Sequence, residues 1–169
     1  MKSWTQKIAF VFSLVLLVLS CKKEVINAHG ITYTDAIGNN IGAVDASDWR
    51  FDDSWSSKEQ ALFNFADTVN TTGLLQADNN FAIAYPNPAS NAINFHFSTN
   101  RSTLVKWVIT DEKLNPLLKN YFIISSNYGF AVDLTSGGFS SGNYYRLYYA
   151  LYSQGGVLYK RGHGDFKKN

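Results

Sequence analysis

Two patterns in the sequence have the residue types that catalysis or metal binding requires. Residues 138–142 (GFSSG) match the Gly-x-Ser-x-Gly pattern of a serine nucleophile, which needs a strand before the serine and a helix after it. A tyrosine-rich strand pattern follows instead, so we expect a Gly/Ser hairpin turn. The histidines lie too far apart to act as paired metal ligands: they are His29, His96 and His163. We therefore predict that the protein is not an enzyme and has no His/Cys metal site.

Oxygen ligands for Ca²⁺ are a second candidate chemistry. One acidic stretch carries six carboxylate or amide side chains: Asp35, Asn39, Asp45, Asp48, Asp52 and Asp53. Their spacing does not fit an EF-hand loop, because Gly42 at its sixth position would place Ile37 at its first. A surface loop rich in Asx turns is the interpretation that we favour. Ca²⁺ is the one cofactor that the sequence leaves open.

Aromatic side chains form a third set with binding potential. The outward phase of one strand pattern carries an arginine and three tyrosines: Tyr144, Arg146, Tyr148 and Tyr152. An exposed aromatic row is typical of a carbohydrate- or protein-binding surface. Trp49 and Trp55 bracket the acidic stretch, where they either pin it onto a neighbour or offer a carbohydrate-stacking platform. We expect residues 44–66 to cover the tyrosine row, with an exposed binding row as the alternative.

The single cysteine lies at the end of an apolar run. Lys2 and Lys7 precede a largely apolar stretch of twelve residues, Ile8 to Leu19, a pattern that predicts a signal peptide over residues 1–20. The run is shorter than the roughly 20 residues that a membrane-spanning helix needs. Val18-Leu19-Ser20-Cys21 resembles a bacterial lipobox. That resemblance implies a diacylglyceryl thioether at Cys21, followed by cleavage in front of it.

Lipidation predicts where the protein acts and what it meets. Several acyl chains on one residue anchor a chain stably, because each buried methylene contributes about 0.8 kcal/mol. Lys22, and not aspartate, follows the cysteine, so we expect residence in the outer membrane, on either of its sides. The expected partners are the membrane and an envelope protein or glycan. Nucleic acid is not expected, since the basic excess is small and the protein is exported.

The second half of the sequence alternates between apolar and polar residues at period two, which is typical of half-buried strands. Turn signals such as Asn115-Pro116 and Gly155-Gly156 separate the segments. This pattern predicts an all-β sandwich without interspersed helices. The seven predicted strands are residues 81–84, 93–97, 105–109, 117–124, 130–134, 145–151 and 157–162.

Charge divides the chain into two regions. Residues 24–78 contain nine acidic and two basic residues, whereas residues 79–169 contain nine basic and four acidic ones. Ser56 with Glu59, or Ser57 with Gln60, fits a capping box that opens a short helix reaching about residue 66. We predict four parts: signal peptide 1–20, tether 21–34, a docked acidic segment 35–78 and a β-sandwich 79–169.

A family resemblance covers residues 80–162. Tyr85-Pro86-Asn87-Pro88 and the strand after it resemble the start of the C-terminal sorting domain of type IX secretion cargo. The resemblance implies an immunoglobulin-like seven-stranded sandwich and a role in sorting. Such cargo normally lacks a lipobox and ends soon after its last basic strand, whereas this chain continues to Asn169. Asp67-Thr68-Val69 resembles the three-residue O-glycosylation motif of the bacterial phylum that uses type IX secretion, which implies modification at Thr68.

Overall fold

The computed structural model describes residues 30–169, so the predicted signal peptide and Cys21 lie outside the described residues. These residues form eight strands, one short α-helix and, between the last two strands, a 3-10 turn at Gln154–Gly156. In order these are β1 Arg50–Phe51, α1 Ser57–Ala61, β2 Asn80–Tyr85, β3 Ala92–Thr99, β4 Thr103–Asp111, β5 Pro116–Ile124, β6 Asn127–Asp133, β7 Tyr144–Ser153 and β8 Val157–Lys167. Strands β2 to β8 correspond to the seven predicted strands, and β1 is additional.

The strands form two antiparallel sheets. One has the order β1-β8-β7-β4-β5 and the other the order β2-β3-β6. The predicted all-β sandwich is therefore confirmed. Tyr145, near the start of β7, contacts the backbone a few residues upstream: its hydroxyl oxygen accepts from the Ser140 N–H at 2.6 Å. This contact is the tyrosine corner of immunoglobulin-like sandwiches, which agrees with the predicted fold class.

The core lies between the two sheets and is rich in aromatic rings. Trp107 of β4 stacks on Phe130 of β6, with 4.8 Å between ring centroids. Tyr149 of β7 meets Phe97 of β3 edge to face at 5.5 Å. These side chains come from the inward phase that period-two alternation predicts for each strand. The inside and outside phases of the core strands are therefore confirmed.

The folded part begins earlier than the sequence predicted. Ile31, Thr32 and Thr34 are buried, although the composition of residues 21–34 indicated a polar tether. Thr34 exchanges backbone hydrogen bonds with Asn87 at 2.9 and 3.1 Å. The prediction that the tether reaches residue 34 is thus wrong, because residues 31–34 already belong to the folded body. The composition of this short stretch is compatible with an exposed tether. Ile31, Thr32 and Thr34 are buried only because distant residues pack against them.

The helix α1 has the predicted capping box but is shorter than predicted. The Ser56 hydroxyl accepts from the Glu59 N–H at 3.3 Å, and the Glu59 carboxylate accepts from the Ser56 N–H at 2.7 Å. The helix ends at Ala61 and not near residue 66, because Phe63 and Phe65 follow it onto the sheet surface. No helix among the described residues has the length and apolar character to cross a membrane.

Candidate functional site

The outward face of β7 is covered by the chain itself. Trp55 meets Tyr148 edge to face at 5.6 Å, and Phe63 stacks on Trp55 at 4.9 Å. The Tyr148 hydroxyl donates to the Glu59 carboxylate at 2.9 Å, and only 1% of Tyr148 is exposed. Burial raises the pKa of Tyr148 above its ordinary value. The prediction that residues 44–66 dock on the tyrosine row is confirmed.

An exposed aromatic row as binding surface is therefore wrong for this face. Tyr144 and Tyr152 are half-buried at the two ends of β7, and each ring has a lysine above it. The ammonium of Lys106 lies 5.3 Å from the Tyr152 ring centroid, and it also pairs with Asp67 at 2.5 Å. A sugar ring has no flat row of three tyrosines to stack on, because the side chains of residues 55–67 already lie at Tyr148 and Tyr152.

Trp49 and Trp55 pack the acidic segment against the sandwich. Trp49 has a positive φ of 58° and lies directly over Gly164, where a Cβ atom would collide with its ring. The Trp49 ring also meets Phe95 of the core at 6.0 Å. Trp55 donates from its indole N–H to Asp52 at 2.6 Å. Both rings hold the acidic segment on the sandwich, so neither offers a free face to a carbohydrate.

Arg146 belongs to a carboxylate cluster and not to a ligand surface. Its guanidinium makes two hydrogen bonds to the carboxylate of Asp165, at 2.5 and 2.6 Å. Asp48 lies beside this pair and accepts from the Asp165 N–H and the Thr32 N–H, both at 2.8 Å. Burial, together with the neighbouring charge of Asp165, raises the pKa of Asp48 to about 6 despite those hydrogen bonds. The cluster connects residues 30–34 and the acidic segment to β7 and β8.

The carboxylates considered as Ca²⁺ ligands mostly serve local turns and contacts. Asp35 accepts from the Ile37 and Asn39 N–H groups at 2.9 Å, and Asp45 accepts from the Ser47 N–H at 2.8 Å. Asp52 contacts the His163 ring at 2.8 Å. The Asx-turn interpretation is confirmed for Asp35 and Asp45, whereas Asp48 is buried and Asp52 makes a long-range contact. Within residues 30–169, no three His, Cys, Asp or Glu side chains form a metal-sized group.

The Gly-x-Ser-x-Gly residues form the expected turn. Gly138 and Gly142 have φ values of 88° and 84°, which side-chain-bearing residues rarely adopt. The strand β7 follows, so no helix N-terminus supports Ser140 as a nucleophile. The Ser140 N–H donates to Tyr145, as described above. The residues serve the tyrosine corner.

Two motif residues occupy contrasting positions. Thr68 is exposed, and its hydroxyl lies 3.0 Å from the Tyr121 hydroxyl, so a modifying enzyme has access to it. Asn87 of the Tyr-Pro-Asn-Pro motif is completely buried. Its amide N–H donates to the Asp165 carbonyl at 2.9 Å, and its amide oxygen accepts from the Lys167 N–H at 3.1 Å. In this chain the motif joins the β2–β3 turn to the end of β8.

A groove that the sequence did not reveal lies between α1 and the β4–β5 turn. It has a volume of about 480 Å³, within the usual range of small-molecule sites. Its lining combines apolar and basic residues, among them Lys58, Leu62, Lys113, Leu114, Pro116 and Lys119. No carboxylate belongs to the lining among the described residues. Lys58 is over 50 residues away from Lys113 and Lys119, so no local sequence pattern indicates the groove.

These observations define a class: a β-sandwich protein of immunoglobulin-like arrangement. Its own acidic segment covers the outward face of β7 around Tyr148. The residues with catalytic or metal-binding types mostly have structural partners, and the groove is the open feature with a defined chemical character. Comparisons with protein-family models, with curated proteins and with solved structures return no match for this chain.

Proposed function

We propose that this protein is a lipid-anchored, non-catalytic β-sandwich module of the bacterial cell envelope. The observation that carries the proposal is the lipobox-like sequence ending at Cys21, ten residues before the buried Ile31 of the described body. The body supports the non-catalytic part, since Ser140, His163 and the buried carboxylates serve turns and internal contacts. The module acts by being held at a membrane and by presenting its surface there.

The anchor is tested by changing Cys21 to alanine. In a bacterium with lipoprotein processing, the unaltered chain should take up radiolabelled palmitate and fractionate with the outer membrane. Cys21→Ala should lose the label and yield an uncleaved or soluble product. Ser141→Ala is the matched control, because Ser141 lies in an exposed turn outside the lipobox. Normal processing and equal membrane retention of Cys21→Ala would sink the proposal.

A role in type IX sorting is a second candidate. The observation that favours it is that the resemblance over residues 80–162 falls on the sandwich strands β2 to β8 and includes the buried Asn87. In a type IX secreting bacterium, the full chain should then reach the cell surface only while that secretion system is intact. Surface display that persists after loss of the system would assign the Asn87 region to folding alone.

A further inference from the structure

The groove between α1 and the β4–β5 turn has the chemistry of a site for an anionic group on an apolar body. Lys113 and Lys119 are exposed, and Leu62 and Leu114 contribute apolar surface between them and α1. The Lys119 ammonium lies 5.1 Å from the Phe65 ring centroid, which holds it near the groove without neutralising it. Asp111 and Glu112 lie on the other side of Lys113, in a neighbouring cleft, and the lining of the groove itself is complementary to a negative ligand.

The β4–β5 turn that carries Lys113 is rigid. The Asp111 carboxylate accepts from the backbone N–H groups of Lys113 and Asn115 at 2.8 and 2.9 Å, and from the Asn115 amide at 2.7 Å. Leu114 has a φ of 61°, a left-handed conformation that residues with a side chain rarely adopt. A glycine would adopt this conformation without strain, but it would lack the apolar side chain that Leu114 contributes to the groove and to the cluster around Trp55.

The groove lies at the end of the molecule where the described chain begins. Gly30 and Tyr144 line one shallow cleft, and Tyr144 and Lys113 line the next. Lys113 in turn lines the groove. From Cys21 to Gly30 the chain can span at most about 30 Å, even when fully extended. A lipidated Cys21 therefore keeps this end of the sandwich near the bilayer.

We propose that the groove docks the sandwich on the membrane by binding the phosphate of an anionic lipid headgroup between Lys113 and Lys119. This inference rests on the proposed lipid anchor, which supplies the proximity, whereas the groove supplies the orientation. Each lysine near an anionic surface contributes about 1 kcal/mol, so two lysines add a useful second contact to the acyl chains. Leu114 and Leu62 face the apolar part of the interface.

The test is vesicle binding by a chain that has no acyl group. The mature chain from residue 21 with Cys21→Ser keeps the whole described body, residues 30–169. It should bind vesicles of phosphatidylcholine with phosphatidylglycerol, and bind pure phosphatidylcholine vesicles far less. Lys113→Gln with Lys119→Gln should lower the binding constant for the anionic vesicles about thirty-fold, which corresponds to two lysines at the interface.

A matched double variant and a soluble probe complete the test. Arg101→Gln with Lys160→Gln removes the same charge near the opposite end, and it should keep the binding of the parent chain. An equal loss in this control overturns the proposal, as does equal binding to neutral vesicles. Glycerol 3-phosphate alone should not shift the amide resonances of Lys113 and Lys119 at the phosphate concentration used in the vesicle experiment. A shift that saturates at that concentration would assign the groove to a free anion and overturn the proposal. Because acyl groups are absent throughout, a failed Cys21 labelling experiment leaves this result interpretable.

Discussion

The acidic segment and the sandwich reach stability in different ways. Strands β2 to β8 enclose their own core, with Phe95, Ile109 and Leu147 completely buried between the two sheets. The segment of residues 35–78 encloses none and buries Trp55 only by laying it on Tyr148 and Ala150. Its aromatic part, residues 44–66, has only 23 residues and cannot form a core alone, since chains below about 40 residues usually need a disulfide or metal. An apolar sequence thus becomes ordered either by self-pairing or by docking on a neighbour.

The largest effect should come from the core of the sandwich. Trp107→Ala removes a ring that stacks on Phe130, and we expect the free energy of unfolding to fall by about 3–5 kcal/mol. Urea unfolding followed by intrinsic fluorescence and circular dichroism measures the change. Phe81→Ala on β2 is the control, because half of Phe81 is exposed and its loss should cost well under that amount. Equal losses would mean that Trp107 is not a core residue.

Trp55→Ala tests the docked segment. We expect a loss of about 2–3 kcal/mol, below the upper range for a buried aromatic, because hydrogen bonds of Asp48 and Asp52 still hold the segment. Limited proteolysis should show faster cleavage between Ala43 and Ala66. A clean trim to about residue 79 in the unaltered chain, with an unchanged melting temperature of the remainder, would instead make the segment an independent arm.

The carboxylate cluster joins the two regions and should respond to pH. The pKa of Asp48 is raised to about 6, so the folded state favours its protonated form. That contribution to stability is complete below the ordinary value near pH 3.8 and is lost as the pH rises through about 6. Relative to Asp48→Asn, the unaltered chain should therefore lose on the order of 2 kcal/mol between pH 4 and about pH 7.

Urea unfolding of both proteins across that pH range measures this difference. Asp35→Asn is the contrasting control, because hydrogen bonds, chiefly from the Asn39 backbone, lower the pKa of Asp35. Its contribution has the opposite sign and is lost as the pH falls. A flat difference between the unaltered chain and Asp48→Asn would show that Asp48 keeps its charge in the fold.

The smallest effect should come from the helix cap inside the docked segment. Ser56→Ala removes the hydroxyl that accepts from Glu59, and it should cost about 1 kcal/mol. Hydrogen exchange should show the change at residues 57–61 and leave β7 protected. Ser57→Ala is the control, since Ser57 is the first helical residue and Ser56 is the cap. An equal effect of both changes would place the cap at the alternative position.

The outward-facing residues of β7 show that a local sequence pattern does not predict burial by a distant segment. Alternation predicts that Tyr148 points away from the core of the sandwich, and it does. The loss of stability on truncating Tyr148 depends on what covers that outer side. The structure buries both Tyr148 and Trp107. We expect Tyr148→Ala to lower the free energy of unfolding by nearly as much as a substitution in the core between the sheets. Period two determines the side of a sheet, but it does not determine whether another segment covers that side.

The sequence alone determined the features that depend on neighbouring residues. Alternation predicted the seven strands, glycines predicted the Gly/Ser turn, and serine–acid/amide spacing predicted a capped helix start at Ser56 or Ser57, of which the structure has Ser56. The tertiary structure decided the features that join distant residues. These are the burial of Ile31 and Thr34, the contact of Asp48 with Asp165, and the groove formed by α1 and the β4–β5 turn. Side-chain period and backbone propensity act over a few residues, whereas burial and electrostatics depend on which segments the fold brings together.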